Sequence, residues 1–238
     1  MIRNIVCLPG FMCGPDLFAD FARHMEGRAT GPAHRRMALL HGDVYSDPSI
    51  DGMAARVLAQ APERFALLGF SMGGFVARRI ALSAPERVEA LILVATSARA
   101  TSEAEHARKE AILAQLAESG FKGMSRKALA RGIHPDHPQR DALVERLKAM
   151  GTALGGEVMA RQLRATRVDG HADLPKIAAP TLVIAGRQDA LRPLSELEAL
   201  AAGIPGARFE IFDGCGHMVP LEQPDRLAES ISEFLDAL

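Results

Sequence analysis

Tryptophan is absent from this chain, tyrosine occurs once, and aromatic residues make up only 5% of 238 positions. So few rings leave no platform on which the bases of a single strand could stack. An excess of charge is missing too. Lysine and arginine number 28 against 29 aspartates and glutamates, a formal net charge of −1. That balance gives no field for gripping a phosphate backbone, and no nucleic-acid partner is expected. Cysteine is scarce: Cys7, Cys13 and Cys215 form no disulfide framework, and no two stand in C-x-x-C spacing. Long apolar runs are also lacking. The stretch Ala90 to Ala95 falls far short of the roughly 20 residues of a spanning helix, so no membrane partner is expected. The apolar segment ending at Pro9-Gly10 is too brief for a secretory signal core, and the expected location is the cytoplasm. No repeat or phosphate-binding loop is present; Gly120-Phe121-Lys122-Gly123 fits neither the P-loop nor the dinucleotide fingerprint.

What is there is ordinary globular material, 48% apolar and 24% charged, enough to bury a core. Six short apolar runs read as strands: Ile2 to Leu8, Met37 to Leu40, Phe65 to Leu68, Val88 to Ala95, Thr181 to Ala185 and Ala207 to Phe212. They lack period-two alternation. Strands apolar on both faces are buried on both faces, which predicts a parallel sheet covered by helices. Amphipathic stretches fall between them: Leu17 to Met25, Ile50 to Gln60, Gly74 to Ser83, Leu194 to Ala202 and Pro224 to Leu238. Alternating strands and helices predict an α/β layer fold. From about Ser97 to about Leu174 no strand is legible, and apolar spacings of three and four predict about four helices. An insertion there would lie over the crevice at the carboxyl edge of the sheet as a cap.

The strongest motif is Gly69-Phe70-Ser71-Met72-Gly73, followed by Gly74. A strand-like Phe65-Ala66-Leu67-Leu68 runs into it and a helix-like Gly74 to Leu82 runs out. A strand-turn-helix of this kind holds the central hydroxyl clear of the backbone, with helical N–H groups beneath it. The plainer reading of Ser71 is a helix N-cap, which does not need so many glycines.

The chain resembles the α/β-hydrolase superfamily. The resemblance rests on four separated motifs: Leu8-Pro9-Gly10-Phe11, Gly69 to Gly74, Gly186-Arg187-Gln188-Asp189, and Gly216-His217-Met218-Val219-Pro220-Leu221-Glu222-Gln223-Pro224. It covers the chain outside the insertion. It implies a three-layer sandwich around a mostly parallel six-stranded sheet lacking the family's N-terminal hairpin. In the family's strand numbering the order would be 4-3-5-6-7-8. The expected core is residues 1–96 and 175–238, with residues 97–174 as a helical cap.

A serine hydroxyl needs a general base, and the base needs a group to fix its tautomer. His217, in a glycine-rich loop after the last strand, is the expected base, and Asp189, at the end of the fifth strand, the orienting acid. The order Ser, Asp, His is that of this superfamily. An Asx turn is the other use of Asp189. No carboxylate follows the fourth strand, where Ala95-Thr96-Ser97 stands. By resemblance the oxyanion donors are the N–H groups of Met72 and of Phe11, with Met12 as the neighbouring alternative to Phe11. Neither metal nor cofactor is expected.

The resulting expectation is a serine hydrolase acting on a small carboxylic ester, lactone or thioester through an acyl-enzyme, with a small-molecule acyl substrate as partner. Carbon–carbon hydrolysis, acyl transfer and perhydrolysis use the same parts. A binding protein or receptor that keeps the fold without turnover is a further alternative. A peptidase would want a cap carboxylate for the substrate ammonium, and Glu103, Glu105, Glu110, Glu118, Glu145 and Glu157 are candidates. His134-Pro135-Asp136-His137-Pro138 reads as a turn rather than a metal site, Arg35-Arg36 and Arg78-Arg79 as solvated faces rather than phosphate sites, and Cys13 and Cys215 as inert buried thiols rather than pocket lining. Met12, Met72 and Met218 flank the expected catalytic atoms.

Overall fold

In the computed structural model residues 2–28 and 37–238 are described; Arg35-Arg36 lies outside them. The six expected strands form as β1 (Asn4–Leu8), β2 (Ala38–His41), β3 (Phe65–Phe70), β4 (Val88–Val94), β5 (Thr181–Gly186) and β6 (Arg208–Phe212). They make one sheet in the order β2-β1-β3-β4-β5-β6, with every neighbouring pair parallel. That is the order the resemblance implied.

The sheet divides the core in two. Ile5, Cys7, Leu68, Ile92 and Ile184 point to one side, where α1 (Ala19–Arg28) brings Phe21 and Met25 and α9 (Pro224–Asp236) brings Leu227 and Ile231. Val6, Leu8, Leu67, Leu91 and Val183 point to the other. There α2 (Ile50–Gln60), α3 (Met72–Ser83) and α7 (Leu194–Gly203) supply Met53, Val57, Val76, Ile80 and Leu197. Both faces are apolar because both are covered by helices, which is why alternation was invisible in the central strands. The edges differ. In β2, Ala38, Leu40 and His41 are exposed, and β6 starts at the exposed Arg208. The expectation of burial on both faces therefore fails at these outer strands, which have a neighbour on one side only.

Between β4 and β5 the chain is helical: α4 (Glu103–Ser119), α5 (Arg126–Ala130) and α6 (Arg140–Arg164). Gly155, at φ 76 and ψ 179, breaks α6 into two pieces, giving four helical segments. A capping box starts α4, with Ser102 Oγ accepting from the Glu105 N–H and Glu105 accepting from the Ser102 N–H. Strand order reverses between β1 and β3, so the loops leaving these two strands diverge. A crevice opens there at the carboxyl edge. Among the described residues no helix is long and apolar enough to cross a membrane.

Candidate active site

Ser71 sits between β3 and α3 with φ 50 and ψ −111, one of three non-glycine residues with positive φ among those described. That backbone is held from both sides: the Ser71 N–H donates to Val94 O at 2.9 Å, and Thr96 Oγ1 donates to Ser71 O at 2.8 Å. Two glycines make the turn possible by close approach. A Cβ at Gly69 would lie 2.7 Å from Gly74 Cα, and one at Gly73 would collide with the backbone of Leu8 and Pro9. Ser71 occupies the N-cap position of α3, yet its side chain caps nothing. The hydroxyl is directed elsewhere.

It meets His217. The Ser71 Oγ lies 2.9 Å from His217 Nε2, and His217 Nδ1 lies 2.7 Å from Asp189 Oδ2. Both side chains are almost wholly buried, at 6% and 1% exposure. Asp189 serves two ends. Oδ2 faces the imidazole, while Oδ1 accepts from the N–H groups of Leu191 at 2.7 Å and Arg192 at 2.9 Å. The Asx turn is thus present together with the histidine contact, and it fixes the carboxylate that makes that contact. Asp213 is turned away and pairs with Arg187.

Two residues that local pattern did not single out hold this geometry. Glu222, buried at the end of α8 (Val219–Glu222), accepts from His134 N at 2.8 Å, Gly216 N at 2.9 Å and Met218 N at 2.9 Å. It therefore clamps the residues on either side of His217. The signal available was a carboxylate directly after the apolar run Met218 to Leu221. Gln162, 2% exposed on α6, accepts from Met12 N at 2.9 Å and donates to Val44 O at 3.1 Å. Nothing in its helix marks it out. With the Met12 N–H engaged, Phe11 remains of the two expected donors after β1; its N–H makes no hydrogen bond among the described residues. Met72, as first residue of α3, carries one of the N–H groups without an intrahelical acceptor.

A cavity of about 250 Å³ is lined by Ser71, Met72 and Phe11 together with Ile50 and Phe75. Helix α4 contributes Glu105, Arg108, Lys109 and Ile112, and the end of α6 contributes Gln162 and Leu163. Arg167 and Arg192 complete a cationic wall. Burial lowers the pKa of Arg192, and the nearby Arg167 adds to it. Lys109, lowered by burial and by Arg167, donates to Ala165 O at 2.6 Å. Of the six glutamates considered for an ammonium site, Glu105 lines this cavity and is already held by Arg99 at 2.7 Å and Arg167 at 2.7 Å. Among the described lining residues Glu105 is the one carboxylate, and both arginines already hold it.

Other expectations divide. Met72 lines the cavity, whereas Met12 and Met218 are buried beside it. Cys13 and Cys215 are buried, with burial pushing Cys13 up to about 12 and Cys215 higher still. His134 Nδ1 accepts from Asp136 N at 3.1 Å and His137 Nδ1 from Gln139 N at 3.2 Å, both as local turn contacts. Arg79 is exposed and pairs with Asp51 at 2.6 Å, but Arg78 contradicts the reading as a solvated face. It stands one helical turn beyond Phe75, lies over that ring at 5.5 Å, and is covered by the segment at Gly170.

A profile described as the alpha/beta hydrolase family matches residues 5–230. The chain is 31% identical over 195 residues to a pimeloyl-[acyl-carrier protein] methyl ester esterase of Aliivibrio salmonicida, spanning 78% of this chain and 74% of that one. It is 30% identical over 271 residues to a 2-hydroxy-6-oxononadienedioate/2-hydroxy-6-oxononatrienedioate hydrolase of Paraburkholderia phymatum, covering 98% and 87%. Among solved structures, an enol-lactonase from Burkholderia xenovorans superposes with a TM-score of 0.83 at 21% identity, over 99% of this chain and 92% of that one. A thermophilic esterase from Thermogutta terrifontis gives 0.81 at 24%, over 99% and 90%. At those identities the structural likeness speaks for the fold.

Proposed function

The chain belongs to the alpha/beta hydrolase family and is a hydrolase, and from that premise we propose that it cleaves small carboxylic esters, lactones or thioesters through an acyl-enzyme on Ser71. The observation that carries this reading is the His217 imidazole, within hydrogen-bond reach of the Ser71 hydroxyl and the Asp189 carboxylate at once. Ser71 Oγ attacks the carbonyl carbon as Nε2 takes its proton. Asp189 holds the proton on Nδ1 and stabilises the imidazolium that forms. The carbonyl oxygen gains the negative charge and is met by the N–H groups of Phe11 and Met72. His217 then returns the proton to the leaving alkoxide. Water, deprotonated by the same imidazole, releases the acid.

Helices α4 to α6 act as the cap of this pocket. The residues that α4 and α6 contribute to the cavity lining support that role, as does the Gln162 tie to the loop after β1. The similarity to a methyl ester esterase favours esters over amides. Replacing Ser71 with alanine is expected to lower kcat on p-nitrophenyl butyrate by about 10⁶-fold, the scale of losing a nucleophile from such a unit. A fluorophosphonate should add its mass to Ser71 in the wild-type protein. Undiminished hydrolysis by the variant, or a folded protein inert to the probe, would overturn the assignment. A panel of esters, lactones, amides and vinylogous diketones separates ester from carbon–carbon hydrolysis.

A further inference from the structure

Among the described residues, Arg78 is a buried arginine whose guanidinium makes no hydrogen bond and no ion pair. Arg78 keeps 6% of its surface exposed, and its Nε is buried with no hydrogen bond. A guanidinium has five donors and is costly to bury unpaired. Burial lowers its pKa to about 10, partly offset by Asp169 and Asp173. Neither carboxylate satisfies it. Asp169 lies 2.5 Å from His171 Nδ1, and Asp173 accepts from Lys176 at 2.7 Å.

Arg78 faces a second cavity, of about 420 Å³, that Arg79 and Arg164 also line. Asp51 and Asp173 are its acids, and both are already paired, Asp51 with Arg79 at 2.6 Å. Arg164 makes no ion pair among the described residues. The cavity is therefore short of negative charge. Crowding around Phe75 adds to this. The guanidiniums of Arg78, Arg167 and Arg192 lie 5.5, 4.8 and 5.9 Å from that one ring.

Ile50, Phe75 and Arg167 line this cavity and the Ser71 cavity alike, so the two share a wall. Ser71, Phe75 and Arg78 follow one stripe of α3 at spacings of four and three. A rise of 1.5 Å per residue puts Arg78 about 10 Å along the helix from the nucleophile, with its side chain leaning back toward it.

We propose that the second cavity is an anion subsite of the enzyme, in which Arg78, with Arg79 and Arg164, holds a carboxylate or phosphate group of the substrate while its ester carbonyl lies at Ser71. The proposal rests on the reading of Ser71 as nucleophile. The substrate class is then an ester that carries an oxyanion at its far end.

The test compares kcat/KM for p-nitrophenyl hydrogen suberate with that for p-nitrophenyl octanoate, in wild type, Arg78→Met and Arg164→Ala. The ratio is expected to fall about tenfold or more in Arg78→Met, the size of a lost hydrogen bond between charged groups. A smaller fall in the same direction is expected for Arg164→Ala, an exposed position that keeps the test alive if Arg78→Met does not fold. An unchanged ratio in both would overturn the proposal. Calorimetric titration of Ser71→Ala protein with suberate and with inorganic phosphate makes the second arm, which needs no turnover. Binding of suberate that is lost on adding Arg78→Met supports a carboxylate subsite. Phosphate binding lost in the same way, with a phosphate-bearing ester preferred over its neutral analogue, supports a phosphate subsite. Phosphate binding with no preference for any anionic ester assigns the site to free phosphate and overturns it as a substrate subsite. Should Ser71→Ala still hydrolyse esters, the nucleophile falls while this arm still decides whether an anion site exists.

Discussion

At the scale of single residues, Glu222 shows how far the support of His217, the proposed base, extends beyond its immediate partners. His217 is held by Ser71 and Asp189 at its ring and by Gly132 O at its backbone N–H, 2.8 Å away. The loop around it is shaped by one buried carboxylate that accepts from Gly216, Met218 and His134. Glu222→Ala leaves the His134 and Gly216 N–H groups without an acceptor and Met218 with Gly132 O alone. Each orphaned buried donor costs about 1–3 kcal/mol, so urea unfolding should show a loss of at least about 2 kcal/mol. The kcat for ester should fall with it as the imidazole loses its seat. Glu222→Gln keeps one acceptor oxygen and should recover part of both. A variant as stable and as active as wild type would show that the clamp is idle.

At the scale of elements, the helices between β4 and β5 are fastened to the core through charge. Glu105, in the first turn of α4, accepts a bidentate contact from Arg99 at 2.7 and 2.9 Å, one from Arg167 at 2.7 Å and one from its own cap N–H at 2.9 Å. Arg99 also reaches Glu196 of α7 at 2.7 Å. Burial works to raise the Glu105 carboxyl, but Arg99, the Ser102 N–H and Arg167 outweigh it and hold it below its ordinary value of 4.5. The unfolded chain protonates Glu105 near that ordinary value, the folded protein only at lower pH. Between the two the unfolded state binds more protons, so stability rises with pH there. The contribution is complete above about pH 4.5 and is lost as pH falls toward the folded value. Urea midpoints measured from about pH 6 down to about pH 3 should therefore show a shallower acid decline in Glu105→Gln than in wild type. Parallel declines would mean that the ion pairs are too well solvated to matter.

At the scale of the whole molecule, the sheet isolates two apolar cores and leaves all three thiols inside them or against them. Cys7 lies on β1, Cys13 in the loop that follows it, and Cys215 in the loop that carries His217, all three buried. Burial raises all three thiol pKa values, Cys13 to about 12. A thiolate reagent at neutral pH should label none of them in the native protein and all three after denaturation. Their labelling rate in mild urea should follow unfolding. Rapid labelling of one cysteine in native conditions would reveal local opening at that strand or loop.

The strands and the tight turn at Ser71 were legible because each is set by local chemistry, whereas the strand order was reached only through the family resemblance. Apolar runs of four to eight residues can be satisfied only by burial. The glycines at 69 and 73 leave space that nearby backbone fills, and Ser71 stands where that turn needs it. Tertiary structure alone decided the rest, since those facts depend on segments brought together from far along the chain. It gave Asp189 an Asx turn and a histidine contact together, and placed Gln162 on the Met12 N–H, 150 residues away. It exposed β2 because a sheet has edges that a run of apolar letters does not announce. It also buried Arg78, which in sequence looks like any charged residue next to another. A helix face is polar or apolar by what covers it, and the cover at Gly170 arrives from the far side of the inserted helices.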